Sequence, residues 1–99
     1  MSATGSHPRP QATSPPLLCL HGPLRTLAGG AEHRVGGASV LELVRALEDA
    51  HPQLRGWILD ERGRIRRHIN IYVDGERAEE RTPVRAGQRV EVLPAITGG

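Results

Sequence analysis

Ninety-nine residues make one small domain, and a chain of that size buries only about two-thirds of its unfolded surface, too little to enclose a large cofactor. Apolar residues reach 37% but the only aromatics are Trp57 and Tyr72, so the core must be aliphatic. All 13 basic residues are Arg and they are interleaved with 11 acids for a net charge of +2, with no basic stripe carrying stacking aromatics, which argues against nucleic-acid binding.

Residues 1–16, MSATGSHPRPQATSPP, hold four Pro and almost nothing apolar, the composition of a disordered leader. LLCLHG (17–22) has the length of a buried strand. PLRTLAGG (23–30) reads as a connection between Pro23 and Gly29-Gly30, and AEHRV (31–35) as a returning strand that ends at Gly36-Gly37. SVLELVRALEDAH (39–51) is the clearest element. Ser39 with Glu42 three residues on is a capping box. Val40, Leu43, Val44 and Leu47 form one apolar stripe, and Pro52 ends the helix. The stretch 53–67 is less regular, with a turn at Asp60–Gly63. HINIYV (68–73) alternates as a half-buried strand does, Asp74-Gly75 signals a hairpin, and 76–82 returns briefly. VRAG (84–87) is a further turn, and QRVEVLP (88–94) a last strand that puts Val90 and Val92 on one face and stops at Pro94. The expected fold is α+β: a small mixed sheet with one main helix packed on one face, first and last strands side by side, the β-grasp arrangement. The expected domains are a leader (1–16), a body (17–93) and a flexible arm (94–99).

Nothing here has the pattern of a catalytic site: no nucleophile–base pair, no paired carboxylates, no phosphate-binding loop. The lone Cys19 excludes an internal disulfide and a cysteine-cluster metal site, and its apolar setting reads as a buried strand thiol. The histidines at 7, 21, 33, 51 and 68 lack ligand spacing and read as surface or edge positions. No apolar run is long enough to span a membrane. What remains is the arm, PAITGG. Two glycines lack Cβ atoms, so they can thread a narrow channel and leave a terminal carboxylate open to attack. A carboxylate becomes an acyl donor once ATP converts it to an acyl-adenylate.

VLPAITGG resembles the ending of the MoaD/ThiS-type sulfur carriers, ubiquitin-like proteins of bacteria. So do RRHINIYVDGE (66–76), TPVRAGQRVEVLPA (82–95), and GPLRTLAGG (22–30) ahead of GGASVLELVRALE. The resemblance covers residues 17–99 and is nearest to the MoaD-like/CysO-like branch. It implies a β-grasp carrier that is not itself an enzyme. It implies Gly99 as the acyl-adenylate and thiocarboxylate site, with Gly98, Thr97, Ile96, Ala95 and Pro94 as the arm that enters partner active sites. The implied partners are an E1-like (MoeB/ThiF-type) activating enzyme and a sulfur-accepting biosynthetic enzyme. No cofactor is implied as bound, since ATP is used in trans by the activating enzyme. Tyr72 and Leu93 are candidates for the partner-binding surface. A cytoplasmic protein, monomeric when free, is expected. The acceptor could make molybdopterin, thiamine, cysteine or a thio-metabolite. Two alternatives stay open: a protein modifier joined through Gly99 to target lysines, and a small non-catalytic subunit of a molybdopterin-synthase-like complex. In either case the lysine-free chain cannot take an isopeptide bond on its own side chains.

Overall fold

A computed structural model describes residues 14–95. Five strands and two α-helices follow in the order β1 (Leu17–Leu20), α1 (Pro23–Leu27), β2 (Glu32–Arg34), α2 (Val40–Ala50), β3 (Ile69–Val73), β4 (Glu76–Ala78) and β5 (Arg89–Pro94), with a 3₁₀ turn at Pro52–Leu54. The sheet order is β2-β1-β5-β3-β4. β1 and β5 run parallel in the middle, with Leu17 opposite Arg89 and Leu20 opposite Val92, while the remaining pairs are antiparallel. This is the expected β-grasp arrangement. One expectation is corrected: the connection 23–30 contains α1, a helix of five residues that buries Leu24.

The alternation along the strands decides the two faces of the sheet. Leu18, Leu20, Val90, Val92, Ile69, Ile71 and Val73 point inward and meet Val40, Leu43, Val44 and Leu47 of α2 in one aliphatic core. α2 is held at its start by several partners. Ser39 Oγ accepts from Glu42 N at 3.3 Å, and the Glu42 carboxylate takes Ala38 N at 2.9 Å. Val40 N and Leu41 N, which lack helical acceptors, donate to Thr82 O and Glu80 O. Gly37 lies so close to this first turn that a Cβ on it would come within 3.0 Å of Leu43 N. The glycine is there for the approach of two backbones.

The β3–β4 hairpin turns at Asp74 (φ 50°) and Gly75 (φ 88°), the left-handed pair that a two-residue hairpin needs. Asp74 also locks this turn to β5. Its carboxylate accepts from Arg89 N and Gln88 Nε2, both at 3.0 Å, and its own N–H donates to Arg89 O.

Candidate functional site

β5 delivers the arm. Pro94 is still strand, paired with Ile69, and its ring lies about 3.5 Å from where a Cβ on Gly22 would stand. Ala95, exposed, gives its N–H to His68 O at 2.6 Å. The root of the arm is thus gripped between the β1–α1 turn and the segment leading into β3. Of the arm residues, Ile96, Thr97, Gly98 and Gly99 lie outside the described residues, as do 1–13 of the leader. The end of the leader stretch runs along the body: Gly87 N donates to Ser14 O, Val35 N to Pro16 O, and Arg34 Nη1 to Pro15 O.

The sheet face away from α2 carries Tyr72 and Leu93, each half-buried and facing Glu91 and Asn70 across the strands. Its centre is polar. Glu91 holds Arg89 Nε at 3.2 Å with one oxygen and stands 3.1 Å from His21 Nε2 with the other. Cys19 lies in this same row, between Glu32 and Glu91. It is 2% exposed, and burial pushes its thiol above the ordinary range, with the Arg89 charge opposing. It is a shielded, protonated thiol on the open face rather than part of the main core.

Sequence reasoning missed two features of the body. The first is Glu48, the one charged side chain buried among the described residues (6% exposed). Its carboxylate accepts three backbone N–H groups, from Ile58 and Leu59 at 3.0 Å and from Gly56 at 3.3 Å. The available signal was an acid four residues after Val44, on the apolar stripe itself. The second is Trp57, 45% exposed, the only large hydrophobic side chain so exposed among the described residues. Periodicity says nothing about a residue in an irregular loop. His33 and His51 are also unexpected partners: their rings meet edge to face with centroids 4.7 Å apart, tying the end of α2 to β2.

Among the described residues no group of three or more His, Cys, Asp or Glu could hold a metal ion, and no helix is long and apolar enough to cross a membrane. Within the described residues, the arrangement is a compact sheet-and-helix body whose last strand leads into the arm.

Comparison with known proteins agrees with this form. The chain is 33% identical over 79 residues to small archaeal modifier protein 1 of Haloferax volcanii, covering 77% of this chain and 91% of that protein. The crystal structure of SAMP1 from Haloferax volcanii is similar with a TM-score of 0.78 at 30% identity, over 85% of this chain and 98% of that one. A chain in the crystal structure of the Amycolatopsis orientalis BexX/CysO complex is similar with a TM-score of 0.74 at 29% identity, over 85% of this chain and 99% of that one. The ThiS family matches residues 20–99, from the end of β1 to the last glycine. A shared fold and a family match that runs through the last glycine make this chain a member of the ThiS family, whose small ubiquitin-like proteins are carriers and modifiers.

Proposed function

We propose that the protein is a sulfur carrier whose reactive group is the α-carboxylate of Gly99. The observation that carries this reading is the family match extending through Gly99, on a body whose last strand leads straight into the arm. An E1-like enzyme of the MoeB/ThiF type would bring the carboxylate oxygen onto the α-phosphate of ATP, releasing pyrophosphate. Hydrosulfide would then add to the acyl carbon, the bond to AMP would break, and AMP would leave with the electron pair. The product is a thiocarboxylate, which a biosynthetic enzyme uses as its sulfur source. ATP would be used in trans by the activating enzyme. This chain supplies a docking surface, a gripped root and a side-chain-free end that fits a narrow channel. The complex named for the Amycolatopsis orientalis relative supports docking of the body on a partner protein.

Adding one residue after Gly99 tests the reading. The extension turns the Gly99 carboxylate into an amide, so ATP–pyrophosphate exchange with the activating enzyme of the source organism should vanish while the melting curve stays put. Gly98→Val should fail similarly, because a branched side chain stiffens the arm and blocks the channel. Normal exchange by the untrimmed extended chain would falsify the proposal. Intact mass of the native protein should show one terminal oxygen replaced by sulfur.

A second reading has its own support, the name of the Haloferax volcanii relative. As a modifier, the chain would form an amide between Gly99 and a target lysine. Amide-linked conjugates in lysate, with no terminal thioacid, would select it.

A further inference from the structure

A series of hydrogen bonds connects the loop after α2 to the root of the arm. Glu48 fixes the N–H groups of Gly56, Ile58 and Leu59 from below. Arg66 Nε donates to Gly56 O at 2.7 Å, and Arg66 N to Ile58 O at 2.9 Å. Two residues further on, His68 O accepts Ala95 N. Gly56 and Ile58 are therefore tied to Arg66, and His68, two residues on, to Ala95, and Trp57, between the two pinned residues, stands out to solvent.

Three observations say what covers it. First, there is no Asp or Glu from His51 to Leu59 or from Arg64 to Val73, while Arg55, Arg66 and Arg67 stand there without an acidic partner among the described residues. Arg64 is the exception, paired with Glu80 at 3.1 Å. Second, a cleft of about 190 Å³ runs beside Arg66 and Arg67, on the far side of the Arg66 strap from Trp57's loop, with Ile65, Ile69 and Ile71 on one wall and Arg77, Glu79 and Glu80 on the other. Third, the four residues from Ile96 to Gly99 reach at most about 14 Å when extended. An enzyme that acts on Gly99 must bring its surface close to the root.

Resting on the carrier reading above, we infer that the Trp57 patch is the main anchor for the activating enzyme. That enzyme presents carboxylates around the mouth of its channel and an apolar notch for the indole. Tryptophan and arginine are the residues that most often dominate such interfaces, and a pre-fixed loop loses little freedom on docking. The open sheet face is the weaker candidate. Its acid at the centre is already matched by Arg89 and His21, and Tyr72 and Leu93 are half-buried.

Trp57 is the chain's one tryptophan, so it can be watched alone. Fluorotryptophan-labelled protein is titrated with the unlabelled ThiF/MoeB-type enzyme of the source organism and followed by fluorine NMR. ATP–pyrophosphate exchange is run in parallel on wild type, Trp57→Ala, Trp57→Phe, Arg67→Glu and Tyr72→Ala, with a melting curve for each. The fluorine resonance should shift and broaden. Trp57→Ala should raise KM for the carrier at least about tenfold and leave kcat within about twofold, the signature of lost uniform binding. Trp57→Phe should recover part of the loss. Arg67→Glu should raise KM most at low salt. A wild-type KM for Trp57→Ala, an unmoved resonance, or a larger KM effect from Tyr72→Ala overturns the patch while leaving the carrier reading standing. Failure of wild type to support any exchange removes the carrier reading and the patch together.

Discussion

Asp74 shows how one side chain ties local geometry to stability. The Arg89 N–H, and after it the Gln88 amide, hold its carboxyl below the usual carboxylate range. Asp60 is lowered too, chiefly by the Arg64 N–H, inside the 60–64 turn. A carboxyl depressed in the folded state contributes its full stabilisation above its unfolded pKa, near 4, and loses it as pH falls through the lower folded value. The melting temperature should therefore drop on acidification below about pH 4. Asp74→Asn tolerates the positive φ, so it should lower the melting temperature at neutral pH and make the acid decline shallower. Asp60 keeps some of that slope. Cys19 gives an independent check. With its thiol raised and covered, it should react with a thiol reagent at neutral pH far more slowly in the folded protein than in urea. Under the proposed carrier function, Cys19→Ser should still be charged with sulfur at Gly99.

The elements differ in how far sequence revealed them. α2 was legible because eleven residues repeat the stripe three times and Ser39 and Glu42 mark its start. β3 and β5 were legible because alternation flanks an Asp-Gly turn. α1 was not, since five residues form little more than one turn and give no repeat to detect. The capping box formed with one change: Glu42 reaches back to Ala38 N rather than to Ser39 N. Gly36-Gly37 reads in sequence as a chain break, while the structure uses Gly37 for contact with α2. Gly37→Ala should therefore destabilise by about 1–3 kcal/mol through overpacking, measured by urea unfolding. Glu48 has the larger expected effect. Glu48→Ala would strand three backbone N–H groups, two of them donors of buried bonds, at a cost of about 3 kcal/mol. The same change should loosen the Trp57 loop, seen as faster amide exchange at Ile58 and Leu59 than elsewhere in the fold.

At the scale of the molecule, the body and the arm were legible for different reasons. The body follows from periodicity. The arm stands out because two glycines after a strand and a proline offer backbone and carboxylate alone. The grip on its root was not legible, because Gly22, His68 and Ala95 are distant in sequence and meet only in the folded sheet. The leader separates in the same way. Removing residues 1–13 should leave the melting temperature unchanged. Removing 1–16 should lower it, since Ser14, Pro15 and Pro16 each accept a hydrogen bond from the body. The parallel pairing of β1 with β5 also governs when the protein can exist at all. Leu17 meets Arg89 about 70 residues later, and a contact that distant must wait until loop closure is complete. During synthesis, β1 emerges early but its central neighbour is among the last segments made. A nascent chain halted before Arg89 should therefore be sensitive to protease, and resistance should appear only when β5 has cleared the ribosome. Folding is in this way a check on translation. The root of the arm forms only after β5 has joined the sheet, so a prematurely ended chain has neither the grip nor the glycines.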